Sequence, residues 1–173
     1  DDFLPTLNYD RKEIVETMTD SALYWIKNYD LDGFRHDACK HVQESFWRTL
    51  TYKIKTQVEI PENKPFYQVG ESYGSPQLIS SYVNSGMLNG QFDFNTSDDA
   101  SAVFALNSED FHRVSNTLNT SLRVYGSHNL MGYISGNHDR GRFISYASGS
   151  LKYGENAKEY NGYERDYLFN NIS

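Results

Sequence analysis

The chain has 173 residues, a net charge of −7 and a single cysteine, so it can form no internal disulfide. Its acidic balance argues against a nucleic-acid partner. Its mean hydropathy of −0.68, together with the lack of a long apolar run, excludes a membrane span. We expect Cys39 to pack beneath a strand rather than to act as a nucleophile.

The first elements are a loop and a long helix. Residues 1–10 have a loop composition, with Pro5 disfavouring helix before it. Asp10 is predicted as the N-cap of the helix that follows, with Glu13 in the capping-box position. Apolar residues then recur at helical spacing over about five turns. This predicted stripe consists of Ile14, Met18, Ala22, Trp25, Ile26 and Tyr29.

A short strand comes next within residues 32–41, where Gly33 and Phe34 suit a buried strand that ends abruptly in charge. Arg35 and Asp37 are two residues apart, so in an extended chain their side chains point to the same side. A guanidinium beside a carboxylate keeps the carboxylate ionised and holds its orientation. Such a pair suits an anionic nucleophile, although an ordinary ion pair at a strand end has the same pattern. His36 points the opposite way, and we expect it to pack behind this pair.

The remaining elements continue the alternation of helix and strand. The next helix is predicted to be buried at Phe46, Trp47, Leu50 and Ile54, and it is followed by a strand at 66–70 and a short helix from Ser75-Pro76. A strand at 90–95, one or two helices within 97–126 and a strand at 133–136 come next. A long active-site loop is predicted after Arg142. Glu71 follows the strand at 66–70, and Asn137-His138-Asp139 follows that at 133–136. Parallel strands that each end in a carboxylate are typical of an α/β-barrel active site.

Four motifs occur in order: Leu4-Pro5-Thr6-Leu7-Asn8, Gly33-Phe34-Arg35-His36-Asp37 through Lys40-His41, Gly70-Glu71-Ser72 and Asn137-His138-Asp139. In these the chain resembles the α-amylase family of glycoside hydrolases. The resemblance implies an α/β fold, a partial TIM (β/α)8 barrel covering about strands 4 to 7. A complete barrel takes roughly 250 residues, so we expect a fragment of a larger protein. Residues 1–10 would end the domain inserted after barrel strand 3, and residues 11–173 would belong to the catalytic barrel.

The resemblance also implies catalytic roles for three carboxylates. Asp37 would be the nucleophile, Glu71 the general acid/base, and Asp139 would bind sugar hydroxyls. Retaining glycosidases hold their two catalytic carboxyl groups roughly 5–5.5 Å apart. Neighbouring strands lie about 4.8 Å apart, so Asp37 and Glu71 at adjacent strand ends can meet that separation.

Further residues are implied in substrate and metal binding. Arg35, Lys40, His41 and His138 would contact or position the substrate, with Lys40 on the leaving-group side. Many relatives use the carbonyl of the residue matching His41 for calcium, a cation that prefers oxygen ligands. Because Thr6 stands where many relatives have an aspartate, we assign no metal ligand and leave Ca²⁺ open.

The implied function is retaining endo-hydrolysis of α-1,4-glucosidic bonds in starch and related glucans through a covalent glycosyl-enzyme. An α-glucan, either starch or a maltooligosaccharide, is then the expected partner. The alternatives are a neopullulanase, cyclomaltodextrinase or transglycosylase of the same family, or an inactive glucan-binding relative. Inactive relatives usually lack a catalytic carboxylate, whereas all three are present here. We expect an extracellular, cell-surface or periplasmic location, although one cysteine does not fix the compartment.

Overall fold

The computed structural model describes residues 6–152. These residues form two compact units. The first contains residues 6–73, 77–92 and 128–132, and the second contains residues 74–76, 93–127 and 133–152. Leu4 and Pro5 of the first motif and the end of the predicted active-site loop lie outside the described residues.

The first unit is built on a three-stranded parallel sheet in the order β1-β2-β3. The strands are β1 (Gly33–His36), β2 (Tyr67–Gly70) and β3 (Gly90–Gln91). The helices are α1 (Lys12–Tyr29), α2 (Glu44–Ile54), α3 (Ile60–Glu62) and α4 (Pro76–Ser81), with a 3-10 turn at Cys39–His41 and a π-helical turn at Lys55–Glu59. Each strand pairs with the next one in sequence across a helical connection, which is the predicted barrel pattern.

The strand register determines where the charged residues emerge. His36 lies opposite Gly70, and Gly70 lies opposite Gln91. The Glu71 amide donates to the His36 carbonyl at 2.8 Å, so the pairing continues just past the end of β2. Asp37 and Glu71 therefore leave neighbouring parallel strands at the same edge of the sheet.

The core of this unit lies between the sheet and helices α1 and α2. Its buried members include Val15, Leu23, Ile26, Cys39, Phe46, Trp47, Leu50, Ile54 and Phe66. The predicted buried face of α2 is confirmed. Cys39 has no exposed surface and packs there, as predicted.

The predicted start of α1 is wrong by one residue. Arg11 is the N-cap and makes no side-chain capping bond. The Asp10 carboxylate instead accepts a hydrogen bond from Gln43 at 2.7 Å. The Glu13 carboxylate accepts a hydrogen bond from the Arg11 side chain instead of completing the predicted capping box.

The predicted apolar stripe of α1 is wrong for half of its members, because Met18, Trp25 and Tyr29 are exposed. Ile26 is buried, and the partly buried Ala22 packs against the core. The other buried residues of the helix are Val15, Thr19 and Leu23. Thr19 can be buried because its hydroxyl donates to the Val15 carbonyl at 2.8 Å. Apolar residues cover more than one face of this helix, and spacing alone did not identify which face meets the sheet.

Of the last two predicted strands, one is shorter than expected and the other is absent from the described residues. The strand predicted at 90–95 ends at Gln91, because Asp93 caps a helix by accepting from the Thr96 amide at 3.1 Å. The strand predicted at 133–136 does not form. A single parallel bridge joins Phe92 to Gly132, since the two-residue β3 gives a following strand little to pair with.

The second unit is helical. Its elements are α5 (Phe94–Ala100), a π-helical turn at Ser101–Ala105, α6 (Phe111–Tyr125) and α7 (Phe143–Ala147). One or two helices were predicted within 97–126; two are present, and the first begins earlier, at Phe94. The long loop expected after Arg142 is corrected, because α7 begins at Phe143 and buries Tyr146. Among the described helices, none combines the length and apolar character needed to cross a bilayer.

Candidate active site

One guanidinium connects the two leading catalytic candidates. Arg35 lies 3.2 Å (Nη1 to Oδ1) from Asp37, and its other terminal nitrogen pairs with the Glu71 carboxylate. The predicted Arg35–Asp37 pair is thus present, and it extends to Glu71. The structure brings these three side chains together at the carboxyl ends of β1 and β2.

The two carboxylates differ strongly in their exposure. The Asp37 side chain is 76% exposed, whereas that of Glu71 is 11% exposed. Arg35 makes an ion pair with each of them. One guanidinium therefore contacts both an exposed carboxylate and a largely buried one.

The turn after β1 fixes the backbone around the pair. Ala38 adopts a left-handed conformation with φ of 47°, which turns the chain directly after Asp37. The Cys39 amide then donates to the Glu71 carbonyl at 2.9 Å. Lys40 donates from its ammonium to the Tyr73 carbonyl at 2.8 Å, and His41 is exposed at the end of the turn. Both predicted substrate-binding residues lie close in sequence to Asp37.

A layer of polar residues lies behind the pair, on the helix side of the sheet. The His36 ring, partly buried, contacts Gln68 at 3.1 Å and packs on Trp47 with ring centroids 4.8 Å apart. The expectation that His36 packs behind the site is confirmed. Sequence reasoning missed Gln68 and Thr51. The available signal was a glutamine in the middle of a short strand that is otherwise suited to burial.

The remaining candidates lie in the second unit. The Asp139 amide donates to the Asn137 side-chain oxygen at 3.0 Å, and His138 lies 3.3 Å (Nε2 to Oδ2) from Asp139. The side chains of His138 and Asp139 are both exposed. Arg140, which was not singled out from the sequence, pairs with Asp98 and lies 5.1 Å from the centre of the Phe94 ring.

An open pocket of about 570 Å³ adjoins this turn. Its lining is formed by Ser135, Gly136, Asn137, His138, Arg140, Arg142 and Phe143. Most of these residues supply hydrogen-bond donors or acceptors, and Phe143 adds an apolar face. Such a lining can form hydrogen bonds with a polar ligand.

Residues 6–152 contain no group of three or more histidine, cysteine, aspartate or glutamate side chains that could hold a metal ion. These residues alone therefore do not provide a carboxylate-rich calcium site. Calcium therefore stays open, and no residue is assigned as its ligand.

Comparisons with known proteins agree on one family. The model of the alpha amylase catalytic domain matches residues 2–161. An intracellular maltogenic amylase from Bacillus subtilis is 34% identical over 74 residues, covering 43% of this chain and 12% of that protein. A cyclomaltodextrinase from Thermoanaerobacter pseudethanolicus is 28% identical over 156 residues, covering 86% of this chain and 25% of its own length.

The fold agrees with a solved structure. The crystal structure of the α-amylase from Geobacillus thermoleovorans, complexed with acarbose, superposes with a TM-score of 0.73 at 27% identity. The match covers 83% of this chain and 31% of that one. The chain thus spans about a third or less of each of these three proteins. It belongs to the α-amylase family of glycoside hydrolases and forms part of the family's catalytic (β/α)8 barrel.

Proposed function

We propose that the protein containing this segment hydrolyses α-1,4-glucosidic bonds within starch and related glucans, with retention of configuration. The observation that carries the proposal is the shared contact of Arg35 with Asp37 and Glu71 at the ends of neighbouring strands. A barrel of this family has eight strands, and we infer that a longer polypeptide supplies those missing here.

In the first step, an Asp37 oxygen attacks the anomeric carbon while Glu71 donates its proton to the departing glycosidic oxygen. The carbon–oxygen bond to the leaving sugar breaks, and a glycosyl ester forms on Asp37. In the second step, ionised Glu71 takes a proton from water, and the resulting oxygen attacks the same carbon. The ester bond breaks, Asp37 is released as a carboxylate, and two inversions give net retention.

Arg35 serves both steps in this scheme. It stabilises the Asp37 carboxylate before attack, and it stabilises the Glu71 carboxylate that proton donation leaves behind. The burial of Glu71 favours the neutral acid needed at the start. The same pair of opposing effects allows Glu71 to alternate between acid and base.

The other candidates are assigned to substrate binding. We propose that Asp139 and His138 bind hydroxyl groups of the sugar at the cleavage point, and that Lys40 and His41 contact the departing glucan. The family pattern supports these roles. The contact of Lys40 with the Tyr73 carbonyl would hold the ammonium close to the turn that follows Asp37.

A cyclomaltodextrinase or maltogenic activity is the second candidate, favoured by the names of two relatives. It shares Asp37 and Glu71 and differs in the substrate admitted. Because the maltogenic relative is intracellular by name, an extracellular, cell-surface or periplasmic location stays a prediction.

The test compares starch, maltoheptaose and β-cyclodextrin as substrates of the complete protein. Endo-hydrolysis predicts that iodine staining of starch falls well before reducing ends accumulate, and that the first products are α-anomers by NMR. Asp37→Asn should retain below a few per cent of the rate while still binding maltoheptaose, because the amide keeps the shape of the carboxylate but not its nucleophilicity. Exclusive cleavage of cyclodextrin would establish the second candidate instead. No hydrolysis, or full activity of Asp37→Asn, would overturn the proposal.

A further inference from the structure

The inference concerns a chain of hydrogen bonds on the helix side of the sheet. His36 Nε2 lies 3.1 Å from the Gln68 side-chain oxygen. The Gln68 amide nitrogen donates to the Thr51 hydroxyl at 2.9 Å. The Thr51 hydroxyl donates in turn to the Met87 carbonyl at 2.6 Å. Three side chains thus connect β1, β2 and α2 to the segment before β3.

The donor and acceptor roles along this chain determine which tautomer the His36 ring adopts. A carbonyl oxygen can only accept, so Thr51 must donate to Met87 and its oxygen must receive the Gln68 amide nitrogen. The Gln68 carbonyl oxygen then faces His36 and also accepts. It follows that Nε2 of His36 carries the hydrogen, and the neutral ring satisfies the chain in one tautomer only.

His36 is also the last residue anchored before the exposed Asp37. Its carbonyl accepts from the Glu71 amide at 2.8 Å and from the Cys39 thiol at 3.3 Å. Its ring is held against Trp47, whose indole donates to the Cys39 carbonyl at 3.2 Å. Both the backbone and the ring of His36 are therefore fixed one peptide away from the nucleophile.

Gln68 links His36 to the strand that leads to the second carboxylate, Glu71. It lies three residues before Glu71 on β2, and its side chain and Gly70 face the same side of that strand. The His36–Gln68 bond thus joins the two catalytic strands on the side of the sheet opposite to Arg35. A ring displaced at this point would shift the strand ends that carry Asp37 and Glu71 relative to each other.

We propose that His36 is a positioning residue for the glycosidase reaction, acting through its Nε2–H bond to Gln68 to set the spacing of Asp37 and Glu71. The inference rests on the proposed function. Spacing of reacting groups affects the chemical step far more than it affects the binding of a long glucan. Loss of the bond should therefore lower kcat and leave KM nearly unchanged.

The test uses a matched pair of variants in the complete protein. His36→Phe keeps the ring against Trp47 but removes the donor, and we expect kcat to fall about ten-fold or more. His36→Gln places an amide donor near the position of Nε2 and should restore most of the rate. A role in stability alone would lower the melting temperature of His36→Phe without changing the turnover of the folded enzyme.

Two further variants decide the case if His36→Phe does not fold. Gln68→Met removes the acceptor and Thr51→Val removes the relay hydroxyl, and each should lower kcat at constant KM. A double variant of Gln68→Met and Thr51→Val should be no slower than the slower single variant, because both changes break the same chain of hydrogen bonds. Wild-type kcat in the folded variants would overturn the positioning role. The proposed function fails separately, if the wild-type protein does not hydrolyse maltoheptaose or Asp37→Asn remains active.

Discussion

Arg35 places Glu71 in an environment with two opposing effects. Its guanidinium favours the carboxylate, whereas the burial of the side chain favours the acid. A residue that must give a proton in one step and take one in the next benefits from such a balance. The same guanidinium would hold the Asp37 carboxylate in place before it attacks.

Glu71→Gln should therefore affect substrates according to their leaving groups. A sugar oxygen is a poor leaving group without a proton, so hydrolysis of maltoheptaose should fall by about two to four orders of magnitude. An activated aryl α-glycoside departs unaided, and its first step should be nearly unchanged. The glycosyl-enzyme should then accumulate, because no base activates water for the second step.

Azide provides the control for this prediction, since it attacks without a general base. Adding it to Glu71→Gln should restore turnover of the aryl glycoside and yield the α-glycosyl azide, as measured by NMR. A β-azide, or no rescue in a well-folded variant, would count against Glu71 as the acid/base of a retaining enzyme.

His36 should make stability depend on pH. Burial lowers its pKa in the folded protein, outweighing the hydrogen bond with Gln68. Its described ring contacts, with Phe34, Trp47 and Gln68, carry no charge. The thiol of the adjacent Cys39 stays neutral because burial raises its pKa to about 12.

The direction of this pH dependence follows from whether the unfolded or the folded protein protonates His36 at the higher pH. Below about pH 6.5 the unfolded chain protonates His36, while the folded protein does so only at lower pH. The free energy of unfolding should therefore fall as the pH decreases below that point, until the folded ring also titrates. Denaturant unfolding at several pH values should show a smaller loss in His36→Gln than in the wild type. An equal loss in both proteins would contradict the prediction.

At the scale of elements, α1 has two flanks with different character. On one flank, Glu16 and Asp20 pair with Lys53 of α2, at 2.7 Å and 2.6 Å. The other flank carries Met18, Trp25 and Tyr29, which are 37%, 51% and 59% exposed among the described residues. In a closed barrel each helix lies between two others, so this apolar flank is placed to receive a further helix.

Two exposed aromatic residues test this placement in the complete protein. Trp25→Ala should lower the free energy of unfolding by about 3 kcal/mol, because it would open a cavity against the next helix. Tyr24 cannot serve as the control, because its ring contacts Trp25 with centroids 5.8 Å apart. Tyr52→Ala on α2 is the matched control instead, since Tyr52 is 68% exposed and is not among the buried residues of its helix. Its cost should be within about 0.5 kcal/mol. Equal small effects in chemical denaturation would show that no helix covers Trp25.

The sequence predicted those elements whose signals are local. The alternation of charge and apolar residues at 33–37 identified β1 and the Arg35–Asp37 pair, and the motif after β2 identified Glu71. The buried face of α1 was not fully predictable, because its apolar residues span a wide arc and only packing decides which part of that arc is buried. The end of β3 depended on Asp93 acting as a cap, a competition between strand and helix that alternation does not reveal. The His36–Gln68–Thr51 chain joins residues distant in sequence and needed coordinates.

At the scale of the whole molecule, three paired strands leave the sheet without closure among the described residues. Open strand edges and exposed apolar helix flanks favour association with other chains. We therefore expect residues 1–173 expressed alone to aggregate or to lack a cooperative unfolding transition. Size-exclusion chromatography with thermal unfolding measures both properties. A soluble monomer with a sharp transition would contradict the inference that a longer chain completes the barrel.

The most direct test of the central claim is mass spectrometry of the trapped intermediate. The complete protein carrying Glu71→Gln would be incubated with an α-glucosyl fluoride, digested, and its peptides sequenced by fragmentation. The account predicts one glucosyl group in ester linkage on Asp37, released by azide. A folded, substrate-binding protein with no adduct, or with the adduct on another residue, would contradict the assignment of Asp37 as the nucleophile of a retaining glycosidase.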